Sequence, residues 1–238
     1  MGFAELYNLL FNPGEVVEIR ALGLTGRRKI WQGWARDVVF GYFDNAEAFQ
    51  AAAGALADTD AGGIYFTPNP VNPDLLARSA NRLKAAGRKN LTTADKDIAC
   101  LRWLLIDLDP KRPAGISSTD EELGLAIERR NRIGKWLQEK FGLQYAISAM
   151  SGNGAHLMVR LDDLENTHEN IDLIRDALGA LAHRWGDEQV DVDEKVFNPA
   201  RIWKLYGTVA RKGDSTPDRP HRKSYIQIRG GRHDNDRS

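Results

Sequence analysis

Apolar and polar residues alternate over Val16–Leu22 and again over Val38–Phe43, the period of half-buried strands. The two runs can pair across a loop that carries Gly26, Arg27, Arg28 and Lys29. A helix is predicted next, over Ala46–Leu56, behind Asn45, whose side chain suits a cap because it can accept a first-turn amide. Gly63–Thr67 reads as a short buried strand stopped by Pro68-Asn69-Pro70. Asn72-Pro73 then opens a predicted second helix to about Ala86, with Pro in the first position, where its missing N–H costs nothing. The first hundred residues therefore read β-β-α-β-α.

Arg102–Asp107 is a strongly apolar strand that runs into Leu108-Asp109-Pro110. Thr119 and Glu122 stand at capping-box spacing and predict a long helix ending near Phe141-Gly142, with Ala126, Ile127, Ile133, Trp136, Leu137 and Phe141 as its buried face. Tyr145–Met150 and Ala155–Leu161 alternate as strands on either side of Ser151-Gly152-Asn153-Gly154, a loop able to make a tight hairpin. Thr167–Trp185 is predicted as an amphipathic helix with Ile171, Ile174, Leu178, Leu181 and Trp185 on one side and Gly186 as its stop. Val190–Asp193 and Tyr225–Arg229 are short strands. The expected fold class is α+β, mostly antiparallel, with helices packed on sheets, in a single domain over 1–238 that ends in a polar tail at 231–238.

Composition narrows the class. With 238 residues, 42% hydrophobic and 28% charged, the chain is neither collagenous, nor a coiled coil, nor wholly disordered, and it is long enough for a sizeable core. Cys100 is the single cysteine, which excludes an intramolecular disulfide and a Cys-rich zinc site and fits a reducing cytoplasm; it is expected in the core beside the following strand. Met1–Phe11 lacks the basic-then-apolar order of a secretory signal, and Phe141–Val159, the longest stretch without a charge, is broken by a Gly-rich loop, so no membrane span is expected.

Lys and Arg balance Asp and Glu at 33 each, which argues against a uniformly basic nucleic-acid coat. The balance hides a division: Leu161–Glu194 holds 11 acidic and 2 basic residues, Lys195–Ser238 holds 11 basic and 4 acidic. Such a boundary suits a site where cations and phosphates meet, and equally a solvated helix face followed by a solvated tail.

Three features carry candidate chemistry. Asp107 and Asp109 are two apart on a strand, so both carboxylates share one face, where they either hold Mg²⁺ or Mn²⁺ or simply end the strand in solvent. Ser151-Gly152-Asn153-Gly154-Ala155-His156 offers backbone amides that an anion can approach and a His that could donate to a phosphate, or else a plain turn with a structural His. Asp193 ends a second apolar–acidic alternation, Asp191 being the other acid, and Arg201 and Lys204 follow it at a spacing that would place cations near a bound phosphate.

In this order, the three features resemble the motifs of the archaeo-eukaryotic primase superfamily: D-x-D/E, an S-x-H-like motif and a lone Asp. The similarity is greatest to primase-polymerase domains of phage, plasmid and CRISPR-associated replication proteins. It extends over roughly Gly63–Thr208 and includes Thr67-Pro68-Asn69-Pro70 and the Phe197-Asn198-Pro199-Ala200-Arg201 run after Asp193. The resemblance implies an RRM-like antiparallel catalytic subdomain at 101–230 packed against an N-terminal α/β subdomain at 1–100. It also implies a nucleotidyltransferase that makes or extends primers on a single-stranded DNA template.

By the same resemblance Asp107, Asp109 and Asp193 would hold two Mg²⁺ or Mn²⁺ ions, with Asp193 preferred to Asp191 for its spacing to Phe197-Asn198. Ser151, Gly152, Asn153, Gly154 and His156 would grip the triphosphate of a dNTP or NTP, and Arg201 and Lys204 would offset its charge. Expected partners are template, primer strand, nucleotide and a fused or associated helicase or CRISPR or replication protein. A non-catalytic replication-initiator module and a metal-dependent nuclease are the alternatives. Template contacts are expected from the basic stretch containing Arg211 and Lys212, with Arg27, Arg28 and Lys29 as a second track.

Overall fold

The computed structural model describes residues 1–87, 92–142 and 146–228. Tyr145, Arg229 and the 231–238 tail of the predicted elements lie outside them. The chain opens with α1 (Phe3–Leu10), β1 (Val17–Gly26), β2 (Ala35–Phe43), α2 (Ala46–Ala57) and β3 (Gly63–Phe66). A 3-10 turn at Pro73–Arg78, β4 (Lys84–Ala85) and a second 3-10 turn at Asp95–Asp97 lead to β5 (Leu101–Pro110), α3 (Asp120–Phe141), β6 (Ala146–Met150), β7 (Ala155–Leu164), α4 (His168–Trp185) and β8 (Val190–Val192). The short strands β9 (Trp203–Lys204), β10 (Val209–Ala210), β11 (Arg222–Lys223) and β12 (Tyr225–Ile228) complete it. The α+β class and the antiparallel pairing expected from the sequence are both present.

Among the described residues two five-stranded sheets organise these elements, one in the order β4-β2-β1-β3-β9 and one in the order β12-β6-β7-β5-β8; β10 and β11 form a separate ribbon. Every pair of named strands is antiparallel. The strand β9 lies in the chain between β8 and β12 of the second sheet yet pairs with β3 in the first, Tyr65 opposite Lys204 and Phe66 opposite Trp203. That return ties the sheets along one seam. A continuous core runs through both, from Phe43, Phe49 and Phe66 to Ile106, Leu108 and Leu157, all fully or almost fully buried.

The caps read from the sequence form as expected. Asn45 accepts from Ala48 N at 2.9 Å, and Thr119 with Glu122 makes the reciprocal capping box at 3.1 and 2.9 Å. Three expectations are corrected. The helix predicted over Asn72–Ala86 stops after its 3-10 turn, because Asn81 takes a positive φ of 51° and Lys84–Ala85 zip onto β2 instead. Phe141, expected on the buried face of α3, is 63% exposed, and the whole last turn of the helix from Gln138 on is exposed with it. Cys100 is half-buried rather than in the core, beside the Arg102 guanidinium at 4.0 Å.

Candidate functional site

The seam between the sheets opens into a cleft of about 370 Å³, within the ~300–1,000 Å³ usual for small-molecule sites. The second sheet contributes Asp107 and Asp109 from the end of β5, with Arg112 just beyond. Ser151 and Asn153 come from the β6–β7 turn and His156 from β7. The first sheet and its return strand contribute Tyr65 and Lys204, and Arg201, Arg211 and Lys212 close the rim. Among the described residues, five basic side chains thus line a space with two carboxylates, in a chain whose charges balance overall.

Alternation along β5 sends Ile106 and Leu108 into the core, both fully buried, and turns Asp107 and Asp109 to the cleft. Register then builds the acid face: His156 of β7 stands opposite Asp107, and Asp191 of β8 stands opposite Asp109. Burial pushes the Asp109 carboxyl up, and the neighbouring Asp107 charge pushes it further, against Arg112 at 3.6 Å. Burial acts on Asp107 in the same sense, but His156, Arg201 and Lys212 outweigh it and hold that carboxyl below the ordinary aspartate value. A pair of adjacent carboxylates with one pushed up is an arrangement that a divalent oxygen-seeking cation relieves, so the donor chemistry fits Mg²⁺ or Mn²⁺.

Asp193 lies one residue past β8, and its backbone N–H donates to Asp107 O at 2.9 Å, so it neighbours the pair. Its side chain is engaged elsewhere: Oδ1 accepts from Lys195 N at 2.8 Å, and Oδ2 faces Arg201 at 3.4 Å. Asp193 does not line the cleft itself, and among the described residues no three His, Cys, Asp or Glu side chains are gathered as a metal cage. Asp191, on the same face as Asp109, pairs with Lys111 at 3.4 Å.

The Gly-rich turn is built differently from an anion cradle. Gly152 N–H donates to Met150 Sδ at 2.8 Å and Gly154 N–H to Ser151 Oγ at 3.1 Å, so both amides are used inside the turn. The glycines are needed for packing. A Cβ on Gly154 would meet Leu108 O at 2.5 Å and Asp109 Oδ1 at 2.8 Å, while Gly152 has φ +111° and lies against Ala210. Asn153 Oδ1 accepts from Ser118 N at 3.0 Å and anchors the approach to α3.

His156 is 4% exposed and has both ring nitrogens engaged, Nε2 with Asp107 Oδ1 at 3.3 Å and Nδ1 with Tyr206 Oη at 2.9 Å. Trp203 covers its ring at 3.9 Å between centroids. Lys204 is 6% exposed, donates to Val209 O at 3.0 Å and lies over the Tyr65 ring, with no carboxylate partner among the described residues. Burial first, and the Arg211 charge second, bring its pKa down from 10.5 to about 7.

Sequence reasoning missed Arg112 and Tyr65 as cleft residues and placed Arg211 and Lys212 on a template track; the structure puts all four in the lining. The signal for Arg112 was its position three residues after Asp109. Arg211 and Lys212 enter the cleft because the loop between β10 and β11 is pinned to the start of α3 by Arg219 on Glu122 at 2.8 Å and Arg222 on Asp120 at 2.6 Å. That pinning is legible only in three dimensions. No protein-family model matches the chain, and no curated protein matches it.

Proposed function

We propose that the chain is a primase-polymerase that transfers nucleotidyl groups onto a primer or a first nucleotide on single-stranded DNA. One observation carries the reading: an acid pair on a strand end shares a cleft of nucleotide size with five basic side chains among the described residues. A phosphodiester would leave most of those cations idle, whereas a triphosphate uses several of them. The succession β5-α3-β6-β7-α4-β8, laid out in its sheet as β6-β7-β5-β8, supports an RRM-like core of the kind the motif resemblance implies.

In this reading Asp107 and Asp109 hold the cations, with Asp193 beside them. When bound, Mg²⁺ or Mn²⁺ supplies Lewis-acid stabilisation of the attacking hydroxyl and of the departing pyrophosphate. The chain's own residues bind and orient. Arg112, Arg201, Lys204, Arg211 and Lys212 surround the triphosphate charge, and the low-dielectric wall around Lys204 strengthens its hold on phosphate. Tyr65 offers a ring face beside Lys204 for the nucleoside.

The test is synthesis on an unprimed single-stranded template with each nucleotide set in Mg²⁺ or Mn²⁺. A longer product that disappears in Asp107→Ala and Asp109→Ala supports the proposal. A template that becomes shorter makes the cleft a nuclease, and binding of DNA without product in any nucleotide set makes it an initiator module.

A further inference from the structure

Three side chains form one hydrogen-bonded line that ends beside the acid pair. Trp203 Nε1 lies 2.7 Å from Tyr206 Oη, Tyr206 Oη lies 2.9 Å from His156 Nδ1, and His156 Nε2 lies 3.3 Å from Asp107 Oδ1. An indole N–H can only donate, so Tyr206 Oη accepts from Trp203 and keeps its own proton to give. Among the described residues the other acceptor in reach is Met158 Sδ at 3.9 Å, a weak one. The hydroxyl therefore donates to His156 Nδ1. An imidazole that accepts at Nδ1 carries its proton at Nε2, the nitrogen that lies 3.3 Å from Asp107 Oδ1, an atom that can only accept.

We infer that Trp203 and Tyr206 lock His156 in its Nε2–H tautomer, and that His156 is a positioning residue for the Asp107 carboxylate rather than a ligand of the nucleotide. The surroundings support this assignment. His156 is 4% exposed with Trp203 stacked on it, so no ring nitrogen is left to meet a phosphate, and the β5–β7 register fixes it directly across from Asp107. One oxygen of Asp107 faces His156 at 3.3 Å, while the other has no partner among the described residues and remains for a cation. Sequence made His156 a triphosphate ligand; the line of donors gives it a different task. The inference deepens the proposed function and rests on it only where a cation enters.

The experiment has two arms. Ring-nitrogen shifts of His156 in ¹⁵N-labelled protein, with no metal or nucleotide added, report the tautomer directly, the signal being identified by its loss in His156→Gln. One protonated Nε2 and one bare Nδ1 are expected, giving way to mixed tautomers in Tyr206→Phe. An imidazolium or an Nδ1–H ring in the wild type overturns the inference, and this spectrum decides even if Tyr206→Phe does not fold.

In the second arm Mn²⁺ affinity is measured by its electron paramagnetic resonance signal, without turnover. Tyr206→Phe and His156→Leu should bind Mn²⁺ about 10–100-fold more weakly. His156→Gln should recover most of the loss, because its amide donates to Asp107 without needing a tautomer. Unchanged affinity in Tyr206→Phe, or a nucleotide KM that rises in His156→Leu while Mn²⁺ binding holds, overturns the positioning role. A wild type that binds no Mn²⁺ defeats the proposed function instead, and leaves the tautomer to the nitrogen spectrum.

Discussion

Replacing Lys204 with Met should make the protein more stable and a poorer binder of its nucleotide. The Lys204 side chain is 6% exposed, has one backbone acceptor and, among the described residues, no carboxylate partner, and its pKa falls from 10.5 to about 7, chiefly through burial. The folded state therefore holds this proton more weakly than the unfolded chain does. The penalty is fully present below about pH 7 and fades as pH rises from there toward 10.5, so stability climbs through that window.

At about 1.4 kcal/mol for each tenfold loss of proton affinity, the upper limit of the penalty is roughly 5 kcal/mol. Water entering the cleft lowers that figure, and losing the hydrogen bond to Val209 O takes back about 1 kcal/mol. A net gain of about 2 kcal/mol at about pH 6.5 would raise Tm by roughly 4–8 °C, and the gain should shrink toward zero by about pH 9.5. Methionine has similar length and no polar head, which keeps the packing. The variant cannot make a charge-assisted hydrogen bond to the triphosphate, worth about 1.5–3 kcal/mol, and should therefore bind a non-hydrolysable nucleotide about 10–100-fold more weakly by calorimetry. Lower Tm with unchanged nucleotide affinity would refute the reasoning and make Lys204 a strut between β9 and the Val209 turn.

Three further outcomes follow from the geometry. Gly154→Ala puts a methyl against Leu108 O and Asp109 Oδ1, so it should cost about 1–3 kcal/mol in chemical denaturation and depress incorporation; wild-type values for both would show that β5 and the turn can part freely. Removing Arg211 and Lys212 together should raise the nucleotide KM several-fold more than it weakens DNA binding at fixed salt, and the reverse order would return these residues to a template track. Arg102, 2.7 Å away, holds the Asp163 carboxyl down at about 2, against burial and with help from Arg160. Its contribution is whole above about pH 4 and is lost as pH falls through about 2, so acid melts of the wild type and Asp163→Asn should converge in that window; parallel curves would contradict it.

The longer strands and helices were legible because their periods are long enough to count. Leu101–Pro110 and Ala155–Leu164 contain the runs predicted over Arg102–Asp107 and Ala155–Leu161, Val17–Gly26 holds all of Val16–Leu22 but Val16, Ala146–Met150 is the described part of Tyr145–Met150, and Asn45 and Thr119 start their helices where capping chemistry requires. Elements set by tertiary contacts were not. Two residues cannot show a period, so β4, β9, β10 and β11 were invisible, and with them the return of Lys204 to the first sheet. The short helix Phe3–Leu10 left only Leu6, Tyr7 and Leu10 as a signal. Pro73 marked a true helical start, but pairing of Lys84–Ala85 with β2 prevailed over helix propensity beyond Arg78.

In the site, Asp107 and Asp109 followed from strand alternation alone, and Ser151, Asn153, Arg201 and Lys204 reached the cleft as their motifs suggested. Gly152 and Gly154 took packing roles that only the neighbouring β5 and β10 backbones reveal. The engagement of His156 depends on Tyr206, fifty residues away, which no spacing rule connects to it.

The central claim is tested most directly by following a single nucleotide labelled at the α-phosphate and, in parallel, at the γ-phosphate, on single-stranded DNA with Mg²⁺ or Mn²⁺. Nucleotidyl transfer predicts α-label in a lengthened strand, γ-label released as pyrophosphate, and loss of both in Asp107→Ala and Asp109→Ala with nucleotide binding weakened but measurable. Release of γ-label as inorganic phosphate with no α-label in DNA, or α-label incorporation that survives loss of both aspartates, would contradict the account.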